Sequence, residues 1–592
     1  MDKAAPQKFD PWTPGITSAI PKRYLPLATI YRPENVATSL EDAAELADFI
    51  GLPMHEMVAF RPERLIVHEV LIRVMADISV PDGKVYEDLG INFRRMAGII
   101  LSKYVAPKRA DIVRVFSAAC ESASKLFHAE LKVISQQPVV APQAPKSTGW
   151  LGRLLGRNYL SSAARGPVSI DDHLTRWASR SVAAGPLEAA AYAALARTVS
   201  TIIGKRGRLM GGDELISQLA LREFSNTHGS KIIGDQVGPI VEDAARNEGF
   251  KLLPAQEKPS ILNVKGASAA GKSTLRPLQR KLVEKLGLDW SDFALISPDI
   301  FRKYLLDYDS LDEAARYAGS LSGHEIEIVD LKLDAYMAAK AARGDMPHLL
   351  IDRFRFDSFS SQSDADAGGR LLTRFGDVVH MFFMITPPAD TVERAWHRGE
   401  QVGRYKAVDD LLFHNIEAFS GMPNLFFTWA LREGKQVHYE FLDNSVKKGE
   451  RPRTVAFGVN GELNIMDIGQ MLNVDRYKRV NVDAASRDEV FPGGDEMSAA
   501  RNGGFLQDCF RKLKAVRLAE QASGKVYAWV EQGTAVAVNH CVLKRALKNP
   551  DTRNAFAAIL PSLIEDAEGL EQRNETLDVH DIHTLGAWGV RQ

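Results

Sequence analysis

Residues 258–446 predict an α/β domain built on a parallel sheet, and two patterns carry that reading. Short apolar runs at 261–265, 293–297, 348–351, 378–385 and 437–442 alternate with segments of helical length. Runs that are apolar throughout belong to strands buried on both faces, as in parallel sheets covered by helices. Between the first run and the helix after it stands Gly266-Ala267-Ser268-Ala269-Ala270-Gly271-Lys272-Ser273-Thr274. A glycine-rich turn joining a strand to a helix is the second pattern.

The flanking regions read differently. Residues 1–135 are expected to be a helical N-terminal domain. Ser39-Leu40-Glu41-Asp42 has the form of a capped helix start, and Leu65, Ile66, Val67, Val70, Leu71, Val74 and Met75 recur at helical spacing. So do Ile112, Val113, Val115, Phe116 and Ala119. Residues 136–167 are rich in Pro, Ala and polar side chains and read as a linker. The linker carries a short amphipathic segment, 150–160, better suited to docking on the protein itself than to a membrane surface. Residues 168–257 form a second helical region that ends in a helix near 237–247.

Residues 447–592 read as a small α+β appendage. Asn460-Gly461 and Gln532-Gly533 each separate two short apolar runs, the signal of a hairpin. Helices are expected around 500–520 and 540–567. The whole is an α/β fold with a largely helical N-terminal region and this C-terminal appendage.

The glycine-rich stretch fits the phosphate-binding pattern G-x-x-x-x-G-K-[ST] at every fixed position. Its glycines let backbone N–H groups turn toward phosphate oxygens, and the helix N-terminus adds its positive dipole end. ATP is the expected nucleotide. Lys272 is expected on the β- and γ-phosphates and Ser273 on Mg²⁺. No Asn-Lys-x-Asp is present for guanine, which argues against a GTPase. In Leu349-Leu350-Ile351-Asp352-Arg353 an arginine stands where a motor ATPase carries its second carboxylate.

A P-loop kinase sheet is the better match. The second run ends Ser297-Pro298-Asp299-Ile300-Phe301-Arg302, at the sheet edge where ligands of open α/β folds bind. Asp299 suits two roles there, general base for an acceptor hydroxyl or cap of the following helix. Arg302 would hold the acceptor or a phosphate. Arg394, Arg398 and Arg404 fit either a lid over bound phosphates or a solvated basic helix.

These residues resemble the zeta-toxin family of P-loop kinases over about residues 258–446. The matching features are Gly266–Thr274, Ser297 to Arg302 with Lys303-Tyr304-Leu305-Leu306-Asp307-Tyr308, His324-Glu325, His348 to Asp352, and the arginines through Gly403-Arg404. The resemblance implies that Asp299 is the general base and that Arg302 helps hold the acceptor. It also implies that Glu325 contacts substrate and that Arg394 or Arg398 joins Arg404 as lid. The third run ends Asp352-Arg353-Phe354-Arg355-Phe356-Asp357 where the family carries a small hydroxyl residue touching substrate, so Asp352 is the substrate-contact candidate there, a departure in residue type. The implied reaction is phosphorylation of a small-molecule hydroxyl, in the family the 3′-hydroxyl of UDP-N-acetylglucosamine. A second reading from another class is an ATP-gated switch acting on a partner.

Composition bounds the rest. The chain's 592 residues suggest about three to four domains. Its 74 Lys and Arg balance 75 Asp and Glu, so no net field selects nucleic acid or an anionic membrane. Cys120, Cys509 and Cys541 lack metal or redox spacing, and no signal-peptide core opens the chain. A cytoplasmic protein is expected, its helical N-terminal region regulating the site, supplying substrate contacts or mediating assembly, with a protein regulator or a second copy of the chain as partner. His68-Glu69 and His324-Glu325 lack the second histidine of a zinc-protease helix. Asp578-Val579-His580-Asp581-Ile582-His583 reads as a polar tail, since six adjacent residues rarely close a metal site.

Overall fold

All five apolar runs become strands in a computed structural model of the chain, which describes residues 9–136, 169–353, 372–578 and 583–589. They are β1 (Ser260–Lys265), β2 (Phe293–Ile296), β3 (His348–Ile351), β4 (Val378–Ile385) and β5 (Gln436–Asp443). Their spatial order is 2-3-1-4-5 and every neighbouring pair is parallel. β1 is central, with Leu262 opposite Leu350 on one side and His380 on the other. All six residues of β1 are buried. Burial on both faces requires covering layers, supplied by the intervening helices, among them Arg276–Lys285, Gly323–Ala342, Pro388–Val402 and Val408–Ala430.

The sheet does not stop at β5. The segments β6 (Arg453–Val459), β7 (Glu462–Ile465), β8 (Ala515–Ala519), β9 (Val526–Glu531), β10 (Thr534–Val538) and β11 (Glu571–Gln572) continue it to eleven mixed strands. Both hairpins form where the sequence signals them, at Asn460-Gly461 and Gln532-Gly533. Residues 447–592 therefore extend the sheet of the preceding domain, because β6 pairs antiparallel with β5. The helix expected over 500–520 is confined to Gly504–Lys512, and 515–519 is strand, its Val516, Leu518 and Ala519 buried. Three short helices, His540–Ala546, Pro550–Ile559 and Ser562–Glu565, fill 540–567.

Aromatic rings join the two parts of the sheet. Phe383 of β4 and Phe441 of β5 stack at 4.8 Å, and Phe426 meets both edge-on. Phe505, from the helix Gly504–Lys512, lies 5.8 Å from Phe426 and 5.7 Å from Phe441.

By internal contacts the chain divides into two compact units. One holds Ile30–Val70 and Ile100–Val241; the other holds Met1–Thr29, Leu71–Ile99 and Glu242–Gln592. These run differently from the boundaries read at 135, 167 and 257, because helices far apart in sequence share cores. In the first unit the helix Arg109–Ser135 sets Phe127 against Phe224 of the helix Asp213–Phe224. There, too, Trp177 Nε1 donates to Glu130 at 2.8 Å. Ser39 caps its helix as expected, accepting from the Asp42 N–H at 3.0 Å. The expected linker with its segment 150–160, residues 354–357 beyond β3, and His580 with Asp581 lie outside the described residues. No helix among the described residues is long and apolar enough to cross a membrane.

Phe426→Ala is expected to cost about 3–5 kcal/mol, the usual range for emptying a buried phenyl site. Urea denaturation followed by circular dichroism checks this. A loss below about 1 kcal/mol would show that the cluster does not hold the sheet together.

Candidate functional site

The C-terminal ends of all five parallel strands deliver side chains to one edge of the sheet. β1 runs into the loop Gly266–Thr274, β2 leads to Asp299, and β3 ends at Asp352. β4 leads to Thr386 and the helix bearing Arg394 and Arg398, and β5 ends beside Asn444. Ligands of open α/β sheets bind at this edge, since the loops there diverge and leave a crevice.

The loop's shape depends on its two fixed glycines. A Cβ on Gly266 would lie 2.8 Å from Met384 Cβ of β4, so only hydrogen fits. Gly271 has φ 95°, and a Cβ there would meet Asn444 Nδ2 at 2.4 Å. Ala269 also adopts a left-handed conformation, φ 60°. Three donors hold the loop through one acceptor, the Ala270 carbonyl. Asn444 Nδ2 reaches it at 2.7 Å, Thr386 Oγ1 at 2.9 Å and an Arg394 guanidinium nitrogen at 3.3 Å. Asn444 and Thr386 carry no motif, so sequence reasoning missed them.

Lys272 curls back over the loop and donates to the carbonyls of Gly266 at 3.1 Å and Ala267 at 2.9 Å. Desolvation within this enclosure lowers its pKa, opposed by the charges of Asp352 and Asp299. Ser273 Oγ donates to Asp352 Oδ2 at 2.7 Å, and Arg276 lies 3.6 Å from the same oxygen. Asp352 is thus drawn to the loop hydroxyl. Arg353 turns away into the helix Gly323–Ala342, pairing with Asp330 and Asp334 at 2.7 Å each.

Asp299 caps no helix. Neither Pro298–Phe301 nor Arg302–Leu305 has a side-chain cap. Its carboxylate instead bridges two arginines, Arg302 at 3.0 Å and Arg404 at 2.5 Å. Desolvation would raise its pKa, but the charges of Arg404 and Arg302 outweigh that and hold it far below the usual carboxylate range. Arg302 also reaches the Gly319 carbonyl and, at 3.2 Å, Ser322 Oγ. Glu325, one helical turn beyond Ser322, is wholly buried.

The arginines of the fourth crossover divide by partner. Arg394 is committed to backbone, donating to the Asn444 carbonyl at 2.6 Å and to the Val446 carbonyl at 3.3 Å. Its role here is to position the loop. Arg398 lies within electrostatic reach of Lys272 and Asp299. Arg404 is reached after the helix ends at Gly403, and its side chain is only 18% exposed, so a solvated basic helix does not describe it. Tyr405 packs 5.5 Å from Trp396 and lies under the Arg316 guanidinium at 4.7 Å, fixing Arg404 and Lys406 on either side.

Lys406 is a further cation that the motifs did not signal. Its Nζ lies 2.5 Å from His414 Nδ1 and 3.8 Å from Asp410. Desolvation pushes its pKa down to about 7, reinforced by Arg398, Arg302 and Arg404. Five cations, Lys272, Arg302, Arg398, Arg404 and Lys406, thus share one electrostatic neighbourhood with Asp299, Asp352 and Asp410. The surplus is positive, and an anion is the ligand such an edge attracts. No protein-family model matches the chain, and no curated protein matches it.

Burial and the neighbouring Lys406 and Lys272 push the pKa of His414 down to about 2. Unfolded, it titrates near the ordinary histidine value of about 6.5. The unfolded chain therefore gains a proton below that pH that the folded chain refuses, and stability falls as pH falls. His414→Gln is expected to flatten this fall between pH 6.5 and 4 by up to about 1.4 kcal/mol per pH unit. Urea unfolding across that range is the check; an unchanged slope would mean His414 titrates normally in the fold.

Proposed function

We propose that the chain is a P-loop kinase that transfers the γ-phosphoryl group of ATP to a hydroxyl of a small molecule, in the manner of the zeta-toxin family it resembles. The observation that carries this reading is the juxtaposition at one sheet edge of the Gly266–Thr274 loop and a carboxylate, Asp299, held between Arg302 and Arg404. A hydrolytic ATPase lacks a reason for that pair, and Arg353, buried against Asp330 and Asp334, offers no base for water.

In this reading the loop N–H groups and Lys272 receive the phosphates. Ser273 and Asp352 present hard oxygen donors already in contact, a set suited to Mg²⁺. When bound, Mg²⁺ would supply neutralising charge to the phosphate oxygens. The acceptor hydroxyl oxygen attacks the γ-phosphorus, the bond to the β–γ bridging oxygen breaks, and ADP leaves. The hydroxyl proton passes to Asp299. Phosphate oxygens compete with Asp299 for Arg404, and each cation that turns away raises the basicity of that carboxylate. Arg398 and Lys406 add positive charge where negative charge accumulates.

The direct test is ³¹P NMR of the chain with Mg-ATP and UDP-sugars, nucleosides, sugar alcohols and a 5′-hydroxyl oligonucleotide. A new phosphomonoester is expected from one acceptor class, lost about 10²–10⁴-fold in Asp299→Asn and by a similar factor in Lys272→Ala. ATP binding with no phosphomonoester in any mixture would replace the kinase by a nucleotide-gated switch.

A second test reads the Arg404–Asp299 pair. Arg404→Ala removes a cation that depresses the Asp299 pKa, so the acid limb of the kcat/KM profile is expected to move up toward the ordinary carboxylate range. An acid limb that stays where it is in the wild type would remove Asp299 from the role of base.

A further inference from the structure

A second cluster of side chains on the same sheet has no part in the proposed phosphoryl transfer. His380 is the third residue of β4 and His438 the third of β5, and they are direct partners in the parallel ladder. Their side chains leave the sheet on one face, side by side. His583 lies across them, its ring 3.6 Å from that of His438 and 5.3 Å from that of His380, while His380 and His438 are 4.8 Å apart. One ring nitrogen of each histidine lies within 4.8 Å of the others. Counting five residues along β4 at ~3.3 Å each, the cluster is roughly 16 Å from the strand end at the glycine-rich loop.

Two observations distinguish this cluster from an ordinary histidine core. First, His380 has no exposed surface, yet its Nδ1 has no hydrogen-bond partner; its Nε2 lies 3.0 Å from His583 Nδ1. A buried polar nitrogen without a partner calls for an explanation such as an ion. Second, the segment carrying His583 is held in place by contacts of its own. The N–H groups of Leu585 and Gly586 donate to Glu440 at 2.6 and 2.9 Å, and Thr454 Oγ1 donates to the same carboxylate at 2.7 Å. Arg451 Nε donates to the Leu585 carbonyl, and Trp588 packs 4.9 Å from Phe457. Glu440 is thereby occupied and the Gln436 amide nitrogen lies 2.9 Å from His438 Nε2, so the converging ring nitrogens of the three histidines are the donor set of the cluster.

We propose that His380, His438 and His583 bind a first-row divalent cation of borderline softness, Zn²⁺ by preference, which pins the C-terminal segment to the sheet. Imidazole donors suit Zn²⁺, Co²⁺ and Ni²⁺ and not Mg²⁺ or Ca²⁺, which take oxygen. Metal ligation needs the neutral ring, and the burial of His380 and His438 favours it. The stacked rings must turn about χ2 so that their in-plane lone pairs converge at about 2.0–2.1 Å from the ion. Three protein ligands leave one tetrahedral position for water.

The test uses tag-free full-length protein stripped with EDTA and then titrated with Co²⁺ and, separately, Zn²⁺. One equivalent of Co²⁺ with the visible absorption of a four-coordinate nitrogen site is expected. So are one equivalent of Zn²⁺ retained by mass spectrometric metal analysis and a Tm raised by several degrees. His438→Ala and His583→Ala are expected to weaken binding at least tenfold and to abolish the Tm rise. His583 is only partly buried, so His583→Ala decides should His438→Ala fail to fold. A wild type that retains no metal, or a folded His583→Ala variant that binds like wild type, overturns the site.

Discussion

The Ala270 carbonyl oxygen joins the loop to the sheet. Donors from the ends of β4 and β5 and from the helix between them, Thr386, Asn444 and Arg394, converge on it. Because β4 is a direct neighbour of β1 and β5 lies next to β4, these donors can reach a turn that starts at the end of β1. The same approach leaves no room for a side chain at Gly266 or Gly271. Loop conformation, strand order and the two glycines are therefore one constraint expressed three ways. Lys272 and Ser273 follow directly from that turn, so their placement inherits its rigidity.

Charge is organised around the same edge. Carboxylates and cations alternate there: Asp352 takes the Ser273 hydroxyl, Asp299 holds Arg302 and Arg404, and Asp410 faces Lys406. These internal pairs hold the positive surplus in place. The depressed pKa of Lys406 comes first from its burial and then from the neighbouring arginines.

At the other end of β4 and β5, histidines replace that charge pattern. His380, His438 and Glu440 share one face of the sheet with the C-terminal segment laid over them. Residues 583–589 are thus part of the sheet's covering layer, held both by the hydrogen bonds to Glu440 and by the packing of Trp588 on Phe457.

Local structure was legible in the sequence wherever a local signal exists. The five apolar runs, the glycine-rich loop, the Ser39 cap and the hairpins at Asn460-Gly461 and Gln532-Gly533 rest on neighbours within a few residues. The sequence marks Asp299 and Arg404 as charged groups near the loop but does not reveal their mutual contact. Residues 515–519 are strand where a helix is expected, because five residues of mixed polarity carry no decisive period and β7 and β9 pair with them on either side.

The sequence by itself determined the α/β class, the parallel strands and the loop at the end of the first. Tertiary structure alone decided that eleven strands make one sheet and that Asp352 meets Ser273. It also decided that Arg394 serves the backbone while Arg404 serves Asp299, and that His583 joins two strand histidines over 140 residues away. The reason is physical: φ/ψ preference and hydrophobic period are properties of adjacent residues. Strand order and side-chain pairing are set by burial and electrostatics between residues that become neighbours only when the chain has folded.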